Sequence, residues 1–144
     1  MTRTLAVAVH DDGWMRSLLL SRTDEGTWVA DTTTRGDVGL PLPGLVDPEA
    51  VRAALDCDLG LCPATNTMPI RRLRLLDGDV PDTPLVMAWV EVPALRAIRS
   101  DQAYGSAGPG RVRYRSYGRD FHAELMVDEH GAVVDHPGLG HRIP

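Results

Sequence analysis

The chain has 144 residues and a formal net charge of -5, with 43% hydrophobic and 24% charged residues. This length fits a single domain over residues 1–144, and the composition excludes a disordered tail, a collagen and a coiled coil. All 15 basic residues are arginine, but the negative net charge argues against nucleic-acid binding, which needs surplus cations on one face. No apolar run approaches the ~20 residues that span a bilayer, and no export signal is recognised, so we expect a cytoplasmic protein without a membrane span.

The first 31 residues predict three strands joined by tight turns. Residues 5–9 alternate larger and smaller apolar side chains, and residues 14–20 and 27–31 form two further strand-like runs. Gly-containing turn sequences at residues 11–13 and 23–26 separate the three runs. Strands in series with short turns predict a meander.

A loop and one short helix are predicted next. Closely spaced Gly and Pro over residues 39–44 disfavour both a helix and a central strand. Asp47 and Pro48 are typical of an N-cap and a first helical position, so we predict a short helix over residues 47–55.

Most of the remaining chain predicts strands, so we assign a mainly β fold with one short helix. A turn at residues 128–131 predicts a hairpin between the last two strands. The predicted strands are residues 70–76, 85–92, 112–117, 121–127 and 132–135. Residues 85–92 are apolar on both faces, so each face needs cover from more protein, a subunit interface or an apolar ligand.

The least generic stretch is residues 60–73, GLCPATNTMPIRRL. Two prolines in it bracket the short polar side chains of Thr65, Asn66 and Thr67, which can bond neighbouring backbone groups. We therefore predict an ordered turn that leads into the strand over residues 70–76.

Arg71 is the unusual residue on that predicted strand, because it shares a face with leucines, whereas Arg72 and Arg74 face solvent. A guanidinium on an apolar face needs a compensating acid or an anionic ligand. The internal candidates are Glu91 and Glu124, and the external one is a phosphate or sugar head group.

The motif resembles the Pro-Phe-Thr-Asn-Thr-Leu-Pro-Ile-Arg-Arg-Leu motif of actinobacterial and proteobacterial proteins named putative glycolipid-binding proteins. In this chain Ala64 replaces the aromatic residue and Met68 replaces the leucine. The resemblance extends to Gln102, Tyr104 and Tyr114 and to a terminal hairpin over residues 128–139, in which His136 replaces a tyrosine. The chain resembles the family from its second group of strands onward, so we expect it to be shorter than other members at the N-terminus.

The resemblance implies a curved antiparallel sheet, a spiral β-roll or half-barrel similar to bacterial lipoprotein and glycolipid carriers. We expect its concave side to hold an apolar cavity for the tail of a lipid or glycolipid. Tail burial contributes roughly 0.8 kcal/mol per methylene and would dominate the affinity. The candidate ligand-binding residues are Thr65, Asn66, Thr67, Arg71, Trp89, Gln102, Tyr104 and Tyr114.

Two other functions stay open. The first is a non-enzymatic interaction module that forms a homodimer through an exposed sheet edge. The second is a small hydrolase that uses His122 with Glu124, although no catalytic motif is present and we predict no enzyme. We also predict no cofactor and no metal site, because Cys57, Cys62 and the histidines lack zinc-binding spacing.

Overall fold

The computed structural model describes residues 1–36 and 39–143. In that part of the chain the secondary structure is mainly strand, with one short helix, α1 (Thr67–Arg72), preceded by a 3₁₀ turn at Pro63–Asn66. The strands are β1 (Thr4–Asp11), β2 (Trp14–Arg22), β3 (Trp28–Arg35), β4 (Gly44–Leu45), β5 (Asp56–Leu59), β6 (Thr83–Val90), β7 (Arg96–Ser106), β8 (Arg111–Ser116), β9 (Phe121–Val127), β10 (Val133–His136) and β11 (Gly140–His141).

The strands form two sheets. The first is the predicted meander, β1-β2-β3, and the second has the order β11-β10-β9-β8-β7-β6-β5. The second sheet is antiparallel except that β5 runs parallel to β6 and β4 runs parallel to the start of β7. One edge of β7 pairs with β6 along most of its length, whereas its other edge pairs first with β4 and then with β8. The sheet curves into a half-barrel, which confirms the predicted mainly β fold with one short helix.

The first hydrophobic core lies between the meander and the outer face of the curved sheet. Leu18, Leu20 and Trp28 of the meander pack in one cluster with Ala88 and Val90 of β6, and all five are buried. Alternation along β2 directs its leucines at residues 18 and 20 to the same face. The meander therefore covers one face of the apolar strand β6.

The second core lies on the concave face. Ile70 and Leu75, from α1 and the turn after it, pack in one cluster with Tyr104, Val112 and Leu125. Leu85 of β6 packs against this cluster, so protein covers both faces of β6 along much of its length. The helical segment thus fills part of the concave side that the sequence reasoning assigned to a ligand.

The predicted helix over residues 47–55 is wrong, because these residues form turns that lead into β5. The Asp47 carboxylate accepts hydrogen bonds from the backbone N–H groups of residues 49 and 50, as an N-cap would. The next backbone bonds span only three residues, Arg52 N to Glu49 O and Ala54 N to Val51 O. The carbonyl groups of residues 54 and 55 accept hydrogen bonds from the Trp28 indole and the Thr2 N–H, which tie this end of the segment to distant parts of the chain.

The predicted strand over residues 70–76 is also wrong, because the structure has α1 and a turn there. Asn66, Pro69 and Ile70 are buried and Leu73 is half-buried, at the i, i+3, i+4 and i+7 spacing of a helix face. Pro69 lies in the first helical turn, where a missing N–H costs little. Packing against the rest of the protein therefore favours a helix here, over the strand that the alternation of arginine and leucine in residues 72–75 suggests.

The change from strand to helix reverses the predicted roles of two arginines. Arg71 is exposed, whereas Arg72 donates from Nε to Asp56 Oδ2 at 2.8 Å, and that carboxylate is fully buried. Glu91 and Glu124, the predicted partners of Arg71, instead pair with Arg96 and Arg111. The prediction of a buried Arg71 with a solvated Arg72 is therefore wrong.

Four strands of the curved sheet were not predicted from the sequence, the two-residue strands β4 and β11 and the longer strands β5 and β7. β5 is a four-residue strand of alternating acidic and other residues, Asp-Cys-Asp-Leu, and β7 is the longest described strand. Gln102 and Tyr104 lie within β7. Among the described residues, no helix has the length and apolar character needed to cross a membrane.

Candidate ligand-binding cleft

A cleft of about 470 Å³ opens at one end of the concave face, beside the helical segment. One wall comes from the turn after β5, a second from the end of β6, and a third from the turns after β8 and β10. The cleft thus forms where four separate parts of the chain converge.

Alternation along β5 sets the floor of the cleft. Asp56 pairs with Met87 of β6 and Asp58 pairs with Trp89, while Cys57 between them packs into the first core. Because alternate side chains in a strand point to opposite faces, both aspartates face the concave side. Asp56 binds Arg72 beneath the helix, and Asp58 lines the cleft.

A hydrogen-bonded network supports Asp58 from behind. Gln102 Nε2 donates to Asp58 Oδ2 at 2.7 Å, and Thr65 Oγ1 donates to Asp58 Oδ1 at 3.0 Å. The Tyr104 hydroxyl donates to Gln102 Oε1 at 3.1 Å and accepts from Asn66 Nδ2 at 2.7 Å. A network in which each buried group finds a partner holds its members rigidly.

Burial sets the electrostatics of this floor. It raises the pKa of Asp58 above the ordinary 3.8, against the hydrogen bonds from Gln102 and Thr65 and the nearby Arg119 charge. Burial also raises the pKa of Tyr104 well above its usual range, so this hydroxyl stays protonated and donates to Gln102.

Arg119 lines the cleft and is exposed. Its guanidinium stacks over the Trp89 ring, 4.7 Å from the ring centroid, and Nη2 donates to the Tyr114 hydroxyl at 2.7 Å. The same nitrogen is 3.7 Å from Asp58 Oδ2, a loose ion pair. Within the described part of the chain, Nε and Nη1 of Arg119 donate to no protein acceptor, so they are available to a ligand in the cleft.

Aromatic rings form another wall of the cleft. Phe121 and His136 are stacked, with ring centroids 5.7 Å apart and an interplanar angle of 12°. Tyr114 lies 6.0 Å from Phe121 and 5.1 Å from Tyr104, which links the wall to the floor. Flat rings of this kind stack on sugar faces and pack well against alkyl chains.

The structure brings six of the eight predicted ligand-binding residues together. Asn66, Trp89 and Tyr114 line the cleft, and Thr65, Gln102 and Tyr104 form the network behind it. Thr67 and Arg71 lie on α1, outside the cleft lining.

The sequence reasoning missed Asp58, Arg119 and Phe121 and gave His136 no role, although all four line the cleft. The alternation of acidic residues at positions 56 and 58 could have indicated part of this site, because two acids on one face of a short strand need buried partners. Arg119 sits in an ordinary polar turn, so its sequence carries no comparable signal.

Other predicted chemistry lies outside the cleft or does not assemble. His122 and Glu124 are exposed on the outer face of β9, where they line a second groove of about 360 Å³. Cys62 is half-buried and lines the cleft, whereas Cys57 is buried in the first core. No group of three or more His, Cys, Asp or Glu side chains in residues 1–36 and 39–143 could hold a metal ion.

The fold and the cleft define a class of protein, a curved β-sheet with an open cleft on its concave side. Residues 1–142 match the family described as "Putative glycolipid-binding", and the chain belongs to that family, which confirms the predicted resemblance. It is similar to the crystal structure of a DUF1089 family protein from Pseudomonas aeruginosa, with 25% identity and a TM-score of 0.63. The alignment covers 99% of this chain and 94% of that chain. No curated protein matches this chain.

Proposed function

We propose that the protein binds a lipid or glycolipid in the cleft and does not catalyse a reaction. The observation that carries the proposal is the combination of aromatic and aliphatic walls with a buried polar floor. The walls include Trp89, Val92 and Phe121, and the floor carries Asp58 and Asn66. An amphipathic ligand matches both surfaces, because its head can bond the floor while its apolar part packs on the walls.

The size of the cleft supports a ligand of limited bulk. Its volume of about 470 Å³ falls within the ~300–1,000 Å³ of sites that hold drug-sized molecules. Each methylene buried on the walls contributes roughly 0.8 kcal/mol, and one charge-assisted hydrogen bond contributes about 1.5–3 kcal/mol. Four buried methylenes therefore equal the largest contribution of one bond to Arg119, so the apolar part supplies most affinity and the arginine supplies selectivity.

The first test is a direct search for a bound molecule. Purified protein would be extracted with organic solvent and the extract analysed by mass spectrometry, before and after incubation with a bacterial lipid extract. We expect an amphipathic molecule to copurify and to be recovered chemically unchanged, as a binding protein without catalysis requires. A lipid-free extract together with no thermal shift on adding any lipid would overturn the proposal.

The second test uses alkyl glucosides of increasing chain length, each below its critical micelle concentration. A ligand that binds only the folded state raises the melting temperature, and the shift should grow with chain length. Arg119→Ala should weaken binding about tenfold or more, which is the loss of one charge-assisted bond.

Arg115→Ala is the matched control for that variant. Arg115 also stacks on an aromatic ring, that of Tyr117 at 5.0 Å, but it lies outside the cleft lining. We expect its affinity for alkyl glucosides to equal that of the unchanged protein. Equal losses in both variants would show that Arg119 does not contact the ligand.

The homodimer and the cytoplasmic location stay predictions. β1 ends the order of the first sheet, so its outer edge pairs with no described strand and could pair with a second copy. Light scattering over a range of concentrations tests this, because a mass that stays at one chain throughout excludes the dimer.

A further inference from the structure

The outer edge of β1 is a long and regular strand edge that the protein leaves open. β1 pairs with β2 over all 8 of its residues without a register shift. Just before this ladder, Arg22 N donates to Arg3 O at 2.9 Å, and ladder bonds alternate along an antiparallel pair, so the odd-numbered residues of β1 bond β2. The even-numbered residues direct their N–H and C=O groups away from the sheet, and these groups have no backbone partner within residues 1–36 and 39–143. They are Thr4, Ala6, Ala8 and His10.

The other outer edges of the two sheets are covered or short. On β3, a Cβ at Gly44 would lie 3.6 Å from Thr32 Cγ2, so the β4 segment lies against that strand. On β5, Leu59 N donates to Thr65 Oγ1 at 3.1 Å, and β11 has only 2 residues. β1 also lacks the proline, lysine or β-bulge by which natural edge strands avoid pairing, and residues 4–9 carry no charge. In the described part of the chain, β1 is therefore the long edge best suited to accept another strand.

The inner face of β1 carries an apolar row that the first core covers only in part. Leu5, Val7 and Val9 pack against this core, yet all three are only half-buried. Their neighbours on β2 are fully buried, since Leu20 pairs with Leu5 and Leu18 pairs with Val7. A strand added beyond β1 would extend the core and bury the rest of this row.

A second copy of β1 fits this edge. Two copies can run antiparallel about a twofold axis that passes between their Val7 residues. Val7 then forms a pair without ladder bonds, and Ala6 exchanges both bonds with Ala8 of the second copy, as the outward direction of the even-numbered residues requires. At the ends of the strands, Arg3 of each copy faces Asp11 of the other. The opposed residues are Arg3 and Asp11, Thr4 and His10, Leu5 and Val9, Ala6 and Ala8, and Val7 and Val7.

Neighbouring registers lack this match. Since only the even-numbered residues have open backbone groups, an antiparallel pairing can move its axis to Ala8 or to Ala6. An axis at Ala8 places Leu5 opposite Asp11. An axis at Ala6 places the arginine of residue 3 opposite Val9. Each of these contacts sets a charge against an apolar side chain, and twofold symmetry makes it occur twice, so the sequence of β1 favours the axis at Val7.

The two charged residues at the ends of β1 can make the contact between copies. Arg3 pairs with Asp24 at 3.2 Å, but that aspartate is 96% exposed, so the pair adds little stability. In the described part of the chain Asp11 is paired with no cation, and its carboxylate accepts a hydrogen bond from Asp12 N at 2.8 Å. Charge complementarity therefore selects a second copy of this chain as the partner.

We propose that the protein forms a twofold-symmetric homodimer in which the β1 strands of two copies pair antiparallel about Val7. The two meanders then form one continuous sheet, and the apolar rows of the two β1 strands cover one another. No residue of the meander lines the cleft, so the interface does not use it and the inference stands independently of the proposed function.

Sedimentation equilibrium over a range of concentrations measures the dimer, and a charge exchange tests its register. We expect a reversible dimer of the unchanged protein. Arg3→Asp and Asp11→Arg should each weaken dimerisation about tenfold, because like charges then face each other twice in the interface. The double variant restores opposite charges in both contacts, so it should dimerise like the unchanged protein.

Arg52→Asp is the matched control for Arg3→Asp. Each arginine holds one exposed acid, Asp24 at 3.2 Å and Glu49 at 3.3 Å, but Arg52 lies in the turns before β5. We expect this control to leave the dimerisation constant unchanged. The mass of one chain at every concentration would overturn the dimer, and so would equal weakening by the two arginine variants. A double variant as weak as the single ones would overturn the register.

Disulfide crosslinking tests the axis directly. Opposed Cα atoms at a pair without ladder bonds are ~4.5 Å apart, within the roughly 4.4–6.8 Å range of disulfides. Under oxidation Val7→Cys should therefore give a crosslinked dimer above the background of the unchanged protein. Val9→Cys is its control, since Val9 is also half-buried on the inner face but is opposite Leu5 of the second copy. Equal crosslinking of the two variants, or none with Val7→Cys, would overturn the axis at Val7.

The same measurements separate this inference from the proposed function. Arg119→Ala, which changes the cleft, should leave the dimerisation constant unchanged, and a dimer lost in this variant would overturn the β1 interface. A dimer with the Val7 register, in a protein that binds no amphiphile, would support this inference and overturn the proposed function alone.

Discussion

The contact between Arg72 and Asp56 should contribute more to stability than other arginine contacts on α1. The Asp56 carboxylate is fully buried, and its donors are Arg72 Nε at 2.8 Å, Thr2 N at 2.7 Å and the terminal amine at 3.3 Å. Breaking a buried ion pair by removing one partner costs about 3–5 kcal/mol. Because Arg72 is partly exposed and other donors remain, we expect Arg72→Met to cost about 2–3 kcal/mol.

Thermal and urea unfolding measure this loss. At this chain size ~1 kcal/mol lowers the melting temperature by roughly 2–4 °C, so the expected decrease is roughly 4–12 °C. Arg71→Met is the matched control, since the neighbouring side chain is exposed and should change stability by less than about 0.5 kcal/mol. Adding Asp56→Asn to Arg72→Met should cost less than the sum of the two single changes. Equal losses in the Arg71 and Arg72 variants would refute the assignment of the buried pair.

Three further predictions concern the cleft and the terminal hairpin. Burial raises the pKa of Cys57 to about 11, so iodoacetamide at mildly alkaline pH should alkylate Cys62 first, and a bound alkyl glucoside should slow that reaction. Peptide mapping by mass spectrometry checks both effects, and equal labelling of the two thiols would contradict them. Because burial raises the pKa of Asp58 above 3.8, its contribution lowers the unfolding free energy as pH rises from 3.8 through the raised value. Urea unfolding at several pH values should therefore show a flatter profile for Asp58→Asn, and an unchanged profile would disprove this contribution. Gly131 has a φ of +77°, and a Cβ there would lie 3.1 Å from an α1 side chain, so Gly131→Ala should cost about 1–2 kcal/mol. Gly140→Ala meets open space and should be neutral in the same unfolding assay, and equal melting temperatures for the two variants would exclude this explanation.

Local sequence patterns determined the elements whose partners are near in the chain. The meander and the last hairpin combine alternating strands with Gly-containing turns, and their strands pair with their immediate neighbours. These turns and periodicities specify backbone conformation without help from distant residues. The mainly β class could therefore be predicted from the sequence.

Residues 66–73 show where local pattern was insufficient. Arginine and leucine alternate over residues 72–75, which fits a strand, but the spacing of Asn66, Pro69, Ile70 and Leu73 fits a helix equally well. The concave face of the sheet decided between them, because it buries the helical stripe and supplies Asp56 for Arg72. Burial against a curved sheet is a tertiary property, so the choice could not be made from this segment alone.

Some residues of the candidate site were likewise predicted from the sequence, and others were not. Asn66, Trp89 and Tyr114 were predicted from a motif and from the chemistry of aromatic side chains, and they line the cleft. Asp58 and Arg119 come from distant parts of the chain and meet because β5 runs parallel beside β6 and the sheet curls back on itself. The sequence determined which strands and turns this protein forms, while only the tertiary structure decided which side chains share the cleft, because strand order and sheet curvature bring distant residues together.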